Sequence, residues 1–194
     1  MRALQAYVLE YLQEHPCVDC GESDPVVLEF DHIGEKTANI SALVGTGVKL
    51  DVLKDEMSRC EVACVNCHRR RTARRGRWRR ADPSKLPKRP YPSESVARNV
   101  AHLDAVLSRS ACVDCGQADP VVLDFDHIAA KRDKVTALAW FGCSLETIDA
   151  EIERCEIRCA NCHRSVTAER GGHFRFKALS SPGPRSSAGR AADF

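Results

Sequence analysis

Apolar positions along the chain follow helical spacing in some stretches and short extended runs in others, and the order of the two repeats. Leu4, Val8, Tyr11 and Leu12 are interrupted by Gln5, Glu10, Gln13 and Glu14, the pattern of an amphipathic helix that ends near His15-Pro16. Cys17-Val18-Asp19-Cys20-Gly21 predicts a tight turn, and Val26-Val27-Leu28-Glu29-Phe30 a short strand with Asp31 and His32 at its end. Leu50, Leu53, Met57 and Cys60, three or four residues apart, form the stripe of a core-facing helix, which makes Cys60 a packing residue. Glu61-Val62-Ala63 is a short extended piece, and His68 opens a basic final helix. Leu145, Ile148, Ile152 and Cys155 repeat the stripe, and Cys155 takes the same packing role.

The recurrence is a duplication. Residues 17–74 align with 112–169 without a gap at an offset of 95, and 30 of the 58 pairs are identical. A chain of 194 residues therefore divides into two units, each small enough that burial alone stabilises it only marginally. The boundaries fall at 1–77 for the first module, 78–94 for a basic linker carrying Pro83, Pro87, Pro90 and Pro92, 95–177 for the second module, and 178–194 for a Ser-, Gly-, Ala- and Pro-rich tail expected to be disordered. Trp140 and Phe141 replace Gly45 and Thr46 of the first module and are expected in ordinary core packing, with contact between modules as the alternative.

Eleven cysteines could be disulfide partners outside the cell or thiolate ligands within it. The first residues form an amphipathic helix rather than a signal-peptide core, and no apolar run reaches the ~18 residues that span a bilayer. The expectation is a cytoplasmic protein with reduced thiols and no membrane partner. Two CxxC turns brought together make a tetrahedral thiolate cage, the arrangement of a closed structural zinc site. Cys17, Cys20, Cys64 and Cys67 would form one, and Cys112, Cys115, Cys159 and Cys162 the other. Buried or redox-active cysteines without metal are the bland alternative.

Charge is unevenly placed. The whole chain carries +2, yet residues 69–89 hold eleven Lys and Arg against the single acid Asp82. Such a concentration suits a polyanion, because Lys and Arg that neutralise phosphates release condensed counterions. Arg69, Arg70, Arg71, Arg74 and Arg75 are the candidate phosphate contacts, and a solvated linker is the alternative. The second module has Ser165, Val166 and Glu169 at the places of Arg70, Arg71 and Arg74, so its own grip on nucleic acid is expected to be poorer.

Asp31, His32 and His68 recur as Asp126, His127 and His163, and the cage does not require them. His68 directly follows the last cysteine, and pairing of the knuckles brings the strand end toward it. A carboxylate and two imidazoles there could surround a second, open metal site with an unligated imidazole as general base. Successive strand residues point to opposite faces, so Asp31 and His32 share one site only if the strand twists or ends there.

CVDCGESDPVVLEFDHIGEK with CEVACVNCHRRRTARR, and CVDCGQADPVVLDFDHIAAK with CEIRCANCHRSVTAER, resemble the zinc-knuckle branch of the HNH endonucleases across 1–77 and 96–172. The resemblance implies an α+β chain of two zinc-stapled ββα-metal modules, each led by a helix, that hydrolyses phosphodiester bonds in DNA. It makes His32 and His127 the general bases, and Asp31 with His68, and Asp126 with His163, ligands of a catalytic divalent ion: magnesium, manganese, nickel or zinc. The chain departs from the family at the middle asparagine, where Arg59 and Arg154 stand. Asn66 and Asn161, inside the knuckle, are the candidate substitutes at the site, with a helix cap or knuckle-turn role equally open. Duplication makes a monomer plausible, since it can replace the dimer that addresses two strands. A non-catalytic tandem zinc-knuckle protein that binds nucleic acid is the competing expectation. It shares the cysteines and arginines but has no use for the Asp-His pair.

Overall fold

The computed structural model describes residues 3–75, 93–130 and 132–180. The first module runs α1 (Ala3–Glu14), β1 (Leu28–His32), α2 (Ile40–Thr46), α3 (Leu50–Met57), β2 (Cys60–Cys64) and α4 (Val65–Arg74). The second runs α5 (Ser93–Ser108), β3 (Leu123–His127), α6 (Val135–Trp140), α7 (Leu145–Ile152), β4 (Cys155–Cys159), α8 (Ala160–Gly171) and α9 (Phe174–Ser180). The mixed helix-and-sheet class expected from sequence holds. No helix among the described residues is long and apolar enough to cross a membrane.

Each module is built on a two-stranded antiparallel sheet, with Leu28 opposite Cys64 and His32 opposite Cys60, and Leu123 opposite Cys159 and His127 opposite Cys155. That register carries the first knuckle with it. Val18 N–H donates to the Val62 carbonyl and Val65 N–H to the Val27 carbonyl, so both CxxC turns are tied to the same pair of strands. Gly21 and Gly116, at φ of 75° and 74°, close the first turn of each module in the left-handed region that a side chain would resist. α1 buries Val8, Leu9 and Leu12, of which Val8 and Leu12 pack with Leu28, Leu53, Met57 and Val62 in the first core. In the second module Leu107, Val122 and Leu123 form one buried group, and Leu103, Val135, Ala139 and Ile148 another.

Several elements differ from the sequence expectation. β1 starts two residues late because Asp24 holds Val26 and Val27 in a turn: its carboxylate accepts from Val26 N–H at 2.9 Å and its carbonyl from Val27 N–H at 3.0 Å. The Leu50 stripe ends at Met57, and Cys60, half-buried as expected, opens β2. The final helix begins at Val65 rather than His68, with Cys64 as its N-cap. α2, its counterpart α6 and α9 were not expected, and α9 takes residues 178–180 from the supposed tail. Of the linker 78–94, only its last two residues are described, and they open α5; the tail beyond 180 lies outside the described residues. Phe141 is about half exposed, at 49%, so ordinary core packing does not describe it.

The modules face each other through α4 and α8. Asn66 N–H donates to Asn161 Oδ1 at 3.0 Å, and Asn161 N–H to Asn66 Oδ1 at 3.1 Å, so each side chain caps the other helix. Ala160 of the second module is counted in the buried core of the first.

Candidate metal centres and the carboxylate–histidine clusters

The structure brings Cys17, Cys20, Cys64 and Cys67 together, and likewise Cys112, Cys115, Cys159 and Cys162, with every sulfur of a group within 4.8 Å of the others. Four sulfurs ~2.3 Å from one zinc stand ~3.8 Å apart on a tetrahedron. Cys20 Sγ to Cys64 Sγ, and Cys115 Sγ to Cys159 Sγ, are both 3.7 Å. Both cages therefore fit a zinc ion, and these are the two groups of three or more ligating side chains found among the described residues. The cage also meets a helix start: Cys64 Sγ accepts from Cys67 N–H at 3.4 Å and Cys159 Sγ from Cys162 N–H at 3.5 Å. Thiolates are favoured there by the positive end of the helix.

Without a cation the four sulfurs cannot all ionise. Burial opposes ionisation at Cys112, but surrounding backbone N–H groups outweigh it and bring the thiol to about 7. At Cys67 and Cys162, burial and then the neighbouring sulfurs push the thiol far above its ordinary range. Filling such a cage must expel protons.

The second cluster sits on the outer face of the sheet, against α4. Glu29 and Asp31 are two residues apart on β1 and therefore share a face. Both reach His68: Nδ1 lies 2.5 Å from Glu29 Oε1 and Nε2 lies 3.4 Å from Asp31 Oδ1. In the second module His163 stands 3.4 Å from Asp124 through Nδ1 and 3.4 Å from Asp126 through Nε2. The Glu29 hydrogen bond raises His68 against the effect of burial, with Asp31 adding to it. A carboxylate that accepts the Nδ1–H hydrogen bond leaves Nε2 facing the buried aspartate, the orientation by which metal-ligating histidines are held. Two ligand atoms each ~2.1 Å from one ion are ~3.0–3.4 Å apart, so the observed spacing fits a shared divalent ion at Asp31 and His68.

Arginines occupy the rest of the aspartate. Asp31 is 3% exposed and accepts from Arg71 at 3.1 Å and from Arg75 at 3.0 and 3.2 Å. Burial would raise its carboxyl, but these two guanidiniums and His68 hold it below the usual range. Arg71 also takes Asp19 and Glu61. Position 166, its counterpart, is a valine. Arg158, at the counterpart of Ala63, instead bridges Asp114, Asp126 and Glu156, which are the 95-offset equivalents of the same three acids. The guanidinium is kept while its anchoring element changes from helix to strand. Arg75 and Arg170 keep their places and both pair with the aspartate.

His32 leaves the strand on the other face, as the last residue of β1. Its Nε2 lies 2.8 Å from Glu56 Oε1, which also accepts from Thr37 and Ala38 N–H at 3.0 Å. The Ala38 amide, opposed by burial and aided by His32 and Thr37, brings the Glu56 carboxyl down to about 2. His127 is held by Glu151 in the same way, at 2.8 Å. An ionised Glu56 accepts a hydrogen bond from Nε2–H and so leaves Nδ1 with the lone pair in the neutral tautomer. Asp31, His32 and His68 nevertheless line a single cleft of about 1250 Å³, whose opposite wall carries Asp124, His163, Arg164 and Arg175 of the second module.

Asn66 and Asn161 do not join these clusters, since their side chains are spent on each other between the modules. Of the five arginines singled out in sequence, Arg69 pairs with Asp124 and Arg70 with Asp119, both across to the second module. Arg71 is partly buried in its three-acid network, and Arg74 and Arg75 are exposed. Arg164 reciprocates Arg69 by reaching Glu29 at 2.7 Å. Glu29, Glu56, Asp124 and Glu151 were missed in the sequence; the usable signal was that each position is acidic in both modules. Comparison with family models, curated proteins and solved structures returned no match.

Proposed function

We propose that the chain is a metal-dependent endonuclease of the HNH type acting on DNA, with a structural zinc in each cysteine cage and one divalent ion at each Asp–His pair. What supports this most is the repeated arrangement in which an acid on Nδ1 turns the Nε2 of His68 or His163 toward a buried aspartate oxygen. A pure structural staple has no need of that orientation. When bound, a divalent ion supplies Lewis acidity to a phosphodiester oxygen and to the leaving group. His32 contributes the base: Glu56 fixes the ring, and the free Nδ1 can take a proton from a water molecule entering the cleft. Glu56 and Glu151 are positioning residues. Arg75 and Arg170, exposed at the helix ends, are the side chains that must swing from Asp31 and Asp126 when an ion enters.

One observation favours a second reading, a tandem zinc-knuckle module that binds nucleic acid without cutting it. Asp31 and Asp126 are already neutralised by guanidiniums, as they would be in a permanent ion-pair network. Supercoiled plasmid incubated with the zinc-loaded protein alone, or with added magnesium, manganese or nickel, separates the two. Nicking or linearisation only on addition of metal, lost in the Asp31→Asn, Asp126→Asn double variant, supports the nuclease. Retardation of the plasmid with no cleavage under any metal selects the binder.

A further inference from the structure

We infer that Arg175, together with Arg164, forms a phosphate subsite in the cleft, through which the second module holds the nucleic-acid backbone against the Glu29–His68 pair of the first. The inference deepens the nuclease reading and rests on it for the location of the reacting phosphodiester. Arg175 extends from α9 across to the first module, where Nη1 donates to the carbonyls of Pro25 at 3.0 Å and Leu28 at 2.9 Å. These carbonyls bracket the start of β1, one residue before Glu29. Its Nε is buried and has no hydrogen-bond partner among the described residues.

The local charge does not balance. Glu29 faces Arg164 directly, and burial first, then repulsion from Arg164, brings Arg175 down to about 10, with Glu29 offsetting only part of this. His173 lines the same cleft and feels both guanidiniums. One carboxylate thus serves two arginines and also the His68 imidazole. Among the described residues no acid pairs with Arg175. A cation largely shielded from water is costly unless paired, and both guanidiniums line the cleft, where a phosphodiester oxygen would pair with them. A bound phosphate would supply the missing negative charge next to the Asp31–His68 pair.

The test uses the full zinc-loaded chain, without added divalent ion, and a fluorescein-labelled 20-base-pair duplex followed by anisotropy over a range of salt concentrations. Arg175→Gln should weaken binding roughly five- to tenfold and lower the slope of log affinity against log salt by about one. Arg175→Lys, which keeps the charge, should preserve the wild-type slope. Zinc stoichiometry and the melting midpoint establish that each variant is folded. Wild-type slope in a folded Arg175→Gln variant overturns the subsite and leaves Arg175 as a strut for α9. A preference of the wild type for 5′-phosphorylated over unphosphorylated duplex, lost in Arg175→Gln, overturns the assignment to internal phosphodiesters. Loss of slope in Arg175→Gln supports the subsite even if no metal promotes cleavage, in which case the nuclease reading alone falls.

Discussion

Exchanging the position of one partly buried guanidinium tests how the Asp–His site is held. In the first module Arg71 reaches Asp31, Asp19 and Glu61 over an alanine at 63; in the second, Arg158 occupies the alanine's place and a valine takes the arginine's. Arg71→Val alone removes a charge-assisted bond to an aspartate that is 3% exposed, worth about 1.5–3 kcal/mol. The half-exposed pairs with Asp19 and Glu61 add at most about 1 kcal/mol each. Arg75 still partners Asp31, which argues for the lower part of that range, about 2–3 kcal/mol in all. Ala63→Arg alone forces a guanidinium into a fully buried alanine site beside Arg71, which overpacks it at a cost of about 1–3 kcal/mol before any charge is left unpaired. The double variant reproduces the second module's solution and should lie within about 1 kcal/mol of wild type, so the two changes couple by about 2 kcal/mol or more. Guanidinium chloride titration in a zinc-buffered solution, followed by far-UV circular dichroism, measures each midpoint. Because about 1 kcal/mol shifts a domain of this size by roughly 4–8 °C, Arg71→Val should also lower the melting midpoint by roughly 10 °C or more. A double variant as unstable as the two single effects added together would refute the equivalence of Arg71 and Arg158.

The other expectations concern the cages and the bases. Cys64→Ser removes a ligand and a helix cap at once, so the first module should lose its zinc; elemental analysis should show two zinc ions per wild-type chain and no more than one in the variant. His32→Ala with His127→Ala should abolish metal-dependent nicking while zinc content and duplex affinity stay at wild-type levels, and residual cutting in this variant would remove the histidines from the base role. Zinc affinity should fall as pH drops, because thiols pushed up by burial and neighbouring sulfurs bind protons in the empty cage and must release them to the metal. More than one proton per cage implies a loss exceeding tenfold per pH unit, read by competition with a chromogenic chelator between about pH 6 and 8.

Much of the framework was legible because it depends on local rules. The CxxC turns, the helix stripe from Leu50 to Met57 and the duplication are written in spacing, and spacing survives folding. What escaped depends on partners far apart in the chain. Glu29 and Glu56 read as ordinary polar positions of a strand and a helix until folding brings them 39 and 24 residues away, to His68 and His32. The arginine run was legible as charge but not as structure. Arg69, Arg70 and Arg71 find acids in both modules, and no composition argument distinguishes a guanidinium spent on an internal aspartate from one kept for a phosphate. Strand onset failed for a specific reason, since the β-branched pair Val26-Val27 favours a strand but the Asp24 carboxylate captures it into a turn.

The cross-module contacts give the duplication a physical purpose beyond doubling a site. A unit of this size buries too little surface to be robust alone, and a zinc cage fixes its knuckles without enlarging its core. Pairing α4 with α8 enlarges the core, since Ala160 seals the first, and places two helix starts together at the cost of opposing their positive ends. The reciprocal asparagines satisfy the exposed amides there, and the two thiolate cages lie directly behind them with compensating negative charge. Arg164 then clamps the same Glu29 that turns His68, while Arg69 clamps the same Asp124 that faces His163. Each Asp–His pair is thus oriented by an acid that an arginine of the other module also holds: Glu29 gives its second oxygen to Arg164, and Asp124 shares Oδ2 between His163 and Arg69. Loss of one cage should therefore loosen both imidazoles, and the two sites should stand or fall as one unit.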